Sequence, residues 1–427
     1  MHLSRRGLLR AGLASTAAAA LGSTAAGCAV PRGSTGRTMT LWYWSGGLSE
    51  KVVADAERRF TDVSLKPVRI GGYYRSKLMT TMTGQAYIPD IAGLRGEDMA
   101  SYLPNADQFV DLRTLGAETF KDQYLPWKWD AGTAPDGRLI GFPIDAGPVG
   151  QFYRADTFEA AGLPTDPAEV SARTSTWEEY FATGETLQKK IEGAYWVVDI
   201  IAVYNYAIGQ GTRRFVDENR HFIGDGEHVR RAWDLALEAR RRGLVSPMLS
   251  GTPDAIAATE KGLLPDQLGA SWVGGDLKLN LPKTKGTWRV AQMPGGPAND
   301  GGSFLSITRA CREREQAFEI ITWLLGADNQ TRGFVDAGLF PSTPASYRQK
   351  AMLDPDPFFG GQRTVDVFGP AAEKIPVAYN SPYDVALGQP IRDELTRVSQ
   401  AGKDPKRAWK DAMKTCRRTA DHLGVSV

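Results

Sequence analysis

Hydrophobic and polar positions switch between two periods along most of this chain. Met39-Thr40-Leu41-Trp42-Tyr43-Trp44 is rich in β-branched and aromatic residues and predicts a strand, which Ser45-Gly46-Gly47 breaks. Val52, Ala56 and Phe60 then recur at i, i+4 and i+8, the spacing of one helix face. Leu65 to Ile70 predicts a second strand, Tyr74 to Thr83 a helix, and Pro89 to Leu94 the start of a third strand. Strands alternating with helices in this way build a doubly wound α/β sheet. Ligands of such sheets sit outside the carboxyl ends of the strands, here the loops after Trp44, Ile70 and Leu94.

The pattern continues past this unit. Gly137 to Asp145 predicts a short hairpin-like segment leaving it, and Val149 to Tyr153 another strand. Thr176-Trp177-Glu178-Glu179 is a capping box, so a helix is expected to start there. Val229 to Arg242 is helical, with Trp233 and Leu237 on one face and Gly243 as the stop. Leu268 to Trp272 predicts a strand ended by a break at Gly274-Gly275, and Ser303 to Ile307 another strand. A helix carrying Phe318, Ile321, Leu324 and Leu325 follows and stops at Gly326, and Ile391 to Leu423 is mostly helical.

Residues 1–28 follow a different logic. Arg5, Arg6 and Arg10 lead into an alanine-rich apolar run from Ala11 to Leu21, the order of a secretory signal. Ser4-Arg5-Arg6-Gly7-Leu8-Leu9-Arg10 resembles the twin-arginine export motif. Ala25-Ala26-Gly27-Cys28 resembles a bacterial lipobox, in which Cys28 is acylated, although Ala25 stands where leucine is usual. A plain cleaved signal with an incidental cysteine is the alternative. The Pro/Gly/Ser-rich stretch within 29–38 suits a flexible tether. No later segment has an apolar run of spanning length, so export with a lipid anchor on the outer face of the bacterial cytoplasmic membrane is the expected localisation.

Bulk properties then narrow the chemistry. With 427 residues the chain exceeds one ordinary core. Its 51 basic and 49 acidic residues nearly cancel, so no nucleic-acid partner is expected. Four histidines and three cysteines limit metal and haem sites, and neither metal nor cofactor is predicted. No phosphate loop, H-E-x-x-H, C-x-x-C or G-x-S-x-G occurs, so no catalytic residue is assigned. Glu97 and Asp98 are adjacent and read as a loop pair rather than a glycosidase pair flanking a bond. Beyond Cys28, Cys311 and Cys416 are expected to be two buried thiols rather than a disulfide.

Several stretches together resemble the family 1 extracellular solute-binding proteins of ABC sugar importers, the group that includes maltodextrin-binding proteins. They are Thr83-Gly84-Gln85 with Pro89-Asp90-Ile91, the run from Gly137 to Asp145 with Gly147-Pro148, and Phe152 to Pro164. Trp177-Glu178-Glu179, Trp288 to Gly296 and Phe340-Pro341-Ser342 complete the series in the family's order. The resemblance covers most of the chain from Met39 onward. It implies an α/β, two-lobe periplasmic-binding-protein-like fold with hinge strands and an interlobe cleft. Lobe 1 would comprise 39–145 plus 300–361, and lobe 2 146–299 plus 362–427. Crossings are expected near Asp145–Gly150 and Gly301–Ser303, with a third after Phe358-Phe359-Gly360-Gly361. The implied function is capture of a carbohydrate and its delivery to ABC permease subunits by a monomeric, non-enzymatic protein. A non-sugar solute such as a polyamine, or a carbohydrate-active lipoprotein enzyme, is the alternative.

Sugars present flat apolar faces and a rim of hydroxyls, so a site needs aromatic platforms beside acids, amides or arginines. Trp42 and Trp44 are candidate platforms or core residues, with Ser45 beside Trp44. Tyr73 and Tyr74 follow the second strand, and Arg95 and Glu97 the third. Asp145 lies at the first crossing, and Trp272 resembles the family's second-lobe tryptophan that lies against solute. Tyr204, Asn205, Gly302 and Ser303 are candidates from the cleft floor, with Tyr379 and Tyr383 further off.

Overall fold

A computed structural model describes residues 37–427; the signal 1–28 with Cys28, and the tether up to residue 36, lie outside the described residues. Ten strands are found there: β1 (Arg37–Tyr43), β2 (Val63–Arg69), β3 (Ile91–Leu94), β4 (Phe142–Pro143), β5 (Asp145–Ala146), β6 (Val149–Arg154), β7 (Asp266–Ala270), β8 (Trp288–Gln292), β9 (Phe304–Ile307) and β10 (Phe340–Pro341). They form a five-stranded sheet ordered β2-β1-β3-β9-β4, a three-stranded sheet ordered β7-β6-β8 and a pair β10-β5.

In the first sheet β1 lies between β2 and β3 and parallel to both, while β9 runs antiparallel to β3 and to β4. The two-residue period of β1 explains its packing. Met39, Leu41 and Tyr43 point into a layer with Val52, Val53 and Ala56 of the helix Glu50–Arg59. Trp42 points to the other layer, against Tyr74, Leu78 and Met82 of the helix Tyr74–Gly84. The sheet is therefore covered on both faces, as the strand–helix alternation requires.

The second sheet is antiparallel throughout. It buries a large cluster with helices Trp177–Lys190, Ile200–Gly209, Glu227–Arg241, Asp384–Ala401 and Pro405–His422. The capping box forms as expected: Glu179 N–H donates to Thr176 Oγ1 (3.2 Å), and Thr176 N–H to the Glu179 carboxylate (3.0 Å). One element departs from the expectation. Gly274 and Gly275 do not break the chain but lie inside a helix, Val273–Asn280. A Cβ on Gly274 would stand 3.1 Å from the Phe359 ring, so the glycine lets this helix approach a neighbour.

The chain passes from first to second sheet between β4 and β6 and returns between β8 and β9. These two segments lie side by side. Pro148 and Asn299 form an antiparallel bridge, Gly147 N–H donates to Asn299 Oδ1 (3.0 Å), and Asp300 N–H donates to the Gly147 carbonyl (2.8 Å). A Cβ on Gly147 would come within 2.0 Å of the Asp300 carbonyl oxygen, so no larger residue fits this approach. Phe358 and Phe359, expected just ahead of a third crossing, already pack with Phe152, Trp288 and Val290 of the second sheet. Cys311 and Cys416 are free and buried in separate clusters, and burial pushes each thiol up to about 12. No helix among the described residues is long and apolar enough to cross a membrane.

Candidate functional site

A cleft of about 1070 Å³ opens beside the paired crossings. Glu97 and Lys128 line it from the first sheet's side, Tyr206 and Trp272 from the second's, and Asp300 and Gly302 from the return crossing.

Local sequence explains each position. Glu97 lies in the 3₁₀ turn Gly96–Asp98 directly after β3, the carboxyl-end loop where ligands of such sheets bind. A Cβ on Gly96 would fall 1.9 Å from the Gly302 carbonyl oxygen, so glycine lets this turn rest on the crossing. Lys128 sits in the short helix Pro126–Ala131, opened by a proline that needs no N–H partner there. Its neighbour Trp127 donates Nε1–H to the Ala372 carbonyl (2.8 Å), which anchors that helix. Trp272 precedes Val273–Asn280 and donates its indole N–H to the Asp300 carbonyl (3.2 Å). Tyr206 O–H donates to Asp300 Oδ2 (3.3 Å).

The electrostatics are uneven. Burial raises the Asp300 carboxyl above its usual range and nearby Glu97 raises it further, while the Tyr206 donor pulls it back. Burial also raises Asp276. Lys128 is 1% exposed, and burial pushes its ammonium well below the usual lysine range, against the attraction of Asp145 and Glu97. Burial pushes Asp145 up, opposed by Lys128 and by the Ser303 N–H that donates to Asp145 Oδ1 (2.6 Å).

The structure brings Glu97, Tyr204, Asn205, Trp272 and Gly302 to the cleft lining. Asn205 is exposed there, whereas Tyr204 is fully buried and its hydroxyl has no partner. Asp145 and Ser303 do not line the cleft; they brace the crossing from behind it. Trp42 is core, because the strand period turns it beneath Tyr74. Tyr74 is core too, at 1% exposure, and both acceptors of its hydroxyl proton are backbone carbonyls, Trp42 O at 3.1 Å and Gly93 O at 2.9 Å. Trp44 lies outside the lining, edge-on to Tyr74 with ring centroids 5.2 Å apart, and the Arg95 guanidinium sits 5.0 Å from its ring centroid. Ser45 and Tyr73 are exposed and outside the lining, Tyr73 at 90%. Tyr379 and Tyr383 are also outside it.

Lys128, Tyr206, Asp276 and Asp300 went unread in the sequence. Two signals were present. Lys128 is the one charge within Leu125-Pro126-Trp127-Lys128-Trp129, an otherwise apolar run that marks it for burial. Asp300 stands next to Gly301-Gly302 at the return crossing, mirroring Asp145 at the outward one.

The comparisons with known proteins agree with this geometry. The sequence pattern of bacterial extracellular solute-binding proteins matches residues 51–357. A lactose-binding protein of Rhizobium radiobacter is 24% identical over 385 residues, 84% of this chain and 86% of that protein. A solved extracellular solute-binding protein of family 1 shares 27% identity and superposes with a TM-score of 0.84, covering 90% of this chain and all of that one (100%). The galacto-N-biose/lacto-N-biose I-binding protein of Bifidobacterium longum, solved with lacto-N-biose, has the same fold at 19% identity, with a TM-score of 0.77 over 92% of this chain and 98% of its own. Two α/β lobes joined by hinge strands around a cleft, and a family pattern spanning most of the chain, lead to one conclusion: this chain belongs to the bacterial extracellular solute-binding proteins.

Proposed function

We propose that the protein is the extracytoplasmic binding component of an ABC importer, holding a mono- or oligosaccharide in the interlobe cleft and delivering it to the permease. The observation that carries this reading is the convergence of Trp272 and Tyr206 with Glu97, Asp300 and Lys128 on one cleft. Aromatic surface suits the apolar faces of sugar rings, and a mixture of donating and accepting groups suits hydroxyls, which do both. The volume, about 1070 Å³, matches the upper end of ligand pockets, roughly 300–1,000 Å³, and leaves room for more than one ring. The Rhizobium relative, named for lactose, supports the same class. Closure would be a hinge motion of the lobe built on the first sheet against the lobe built on the second, with Phe358 and Phe359 moving with the second, about the paired crossings. Trp44, Ser45, Tyr73 and Arg95 would reach solute only on closure. We further assign twin-arginine export, acylation at Cys28 and a monomeric state.

A second reading, a cationic solute such as a polyamine, is favoured by one observation: Glu97, Asp98, Asp276 and Asp300 all line the cleft. A thermal-shift screen of sugars, polyols, amino acids and polyamines separates the two, because a ligand of the native state raises the melting temperature by mass action. A shift with a sugar is expected. Shifts with polyamines and none with any carbohydrate would sink the sugar assignment.

A further inference from the structure

Lys128 is buried in a way that protein groups alone do not account for. Its Nζ lies 3.4 Å from the Phe304 ring centroid, and a Cβ built on Gly302 would stand 3.0 Å from it. Among the described residues this Nζ makes no hydrogen bond or ion pair, and its close contact is the Phe304 ring. Asp145 is close enough to attract it, but no hydrogen bond joins them, and Asp145 Oδ1 accepts from the Ser303 N–H. An ammonium has three donors and no acceptor, and leaving them unused at 1% exposure is costly. The residue nevertheless lines the cleft, so its donors have somewhere to go.

On the reading that the cleft takes a polyhydroxylated solute, we infer that Lys128 is the solute's cationic anchor. Its ammonium donates to neighbouring hydroxyl oxygens of a neutral sugar, while Glu97 and Asp300 accept the protons of those hydroxyls. The turn that carries Glu97 rests through Gly96 on Gly302, Gly302 also approaches Lys128 Nζ, and Asp300 lies two residues before it, so the three groups gather at the return crossing. Charge then selects the class. A polyamine nitrogen placed here meets a buried ammonium, and a uronate carboxylate meets Glu97 and Asp300. A hydroxyl satisfies both signs at once, because it accepts from Lys128 and donates to a carboxylate. A ligand seated on Lys128 and Asp300 also touches the return crossing itself, which places binding at the point about which the lobes would move.

The test is calorimetric titration of wild-type protein, Lys128→Met and the pair Asp145→Asn and Lys128→Met/Asp145→Asn, with lactose, maltose, glucuronate and spermidine as probes. The double variant removes both buried charges, so that a folding defect of the single variant cannot mimic lost binding. A neutral disaccharide is expected to bind, and adding Lys128→Met to Asp145→Asn is expected to weaken it on the order of 10- to 100-fold, the range of a hydrogen bond to a charged group. If the double variant binds that sugar within twofold of Asp145→Asn, the anchor is overturned while sugar binding stands. Preference for glucuronate overturns the neutral-hydroxyl class alone. Spermidine binding with no sugar bound overturns both this inference and the reading beneath it.

Discussion

Asp145 and Asp266 are both buried carboxyls in strands, yet they do different work. Asp266 lies in the second lobe, where Tyr180 O–H and Gln151 Nε2–H each donate to it at 2.5 Å, and Thr174 in turn donates to Gln151 Oε1 (2.7 Å). Its partners are neutral and mutually satisfied, and burial pushes its carboxyl up to about 7. Asp145 lies on the outward crossing, and its charge, like that of Glu97, attracts the buried Lys128 ammonium. The first network is closed, its partners satisfied by one another, although Asp266 and Tyr180 reach the cleft lining. The second leaves donors unused toward the cleft and can respond to what enters it. A buried polar group points to function when its network is left open, not merely because it is buried.

The largest effect that would break this contrast is loss of the hinge carboxylate. Asp145→Ala removes a charge that attracts Lys128 and the acceptor of the Ser303 N–H, and is expected to cost about 3–5 kcal/mol of stability in urea unfolding, the range for leaving a buried charge uncompensated. Asp266→Ala leaves two neutral donors without an acceptor and is expected to cost less, roughly 1–3 kcal/mol in the same experiment. Equal losses would mean that the two sites do not differ in kind. Thr176→Ala, remote from both acids, removes one half of the capping box and should cost about 1 kcal/mol, a baseline for local damage.

A pH series sharpens the comparison without any large loss. The folded state holds the Asp266 proton more tightly than the unfolded chain, whose value is near 3.8. Its contribution to stability is therefore fully present below about pH 4 and is lost as pH rises through about 7. Asp266→Asn should flatten that decline between pH 4 and pH 7 in chemical denaturation. An unchanged slope would show that this carboxyl does not titrate in the window.

Much of the first lobe was legible because its elements are set by local period. The β1 row, the helix bearing Val52 and Ala56, and the strand Ile91–Leu94 all follow from spacing and composition. Local period also misled. Gly274-Gly275 has the composition of a break, but the helix survives because packing against Phe359 favours a bare backbone there. The site was less legible than the fold. Glu97 and Trp272 could be placed at loop positions, whereas Tyr74 looked like a platform and is consumed by two carbonyls of its own lobe.

By itself the sequence determined the export-type start, the α/β alternation, the two crossings and the family resemblance, all of which are written in contiguous residues. Only the tertiary structure decided that Lys128, Tyr206 and Asp300 meet Glu97 and Trp272 across a cleft. These side chains come from segments up to about two hundred residues apart, and no local pattern encodes which way each faces once two lobes are packed around a hinge. The same reason hid the lysine. Its burial depends on Phe304 and Gly302, which return to it only after the chain has built the whole second sheet.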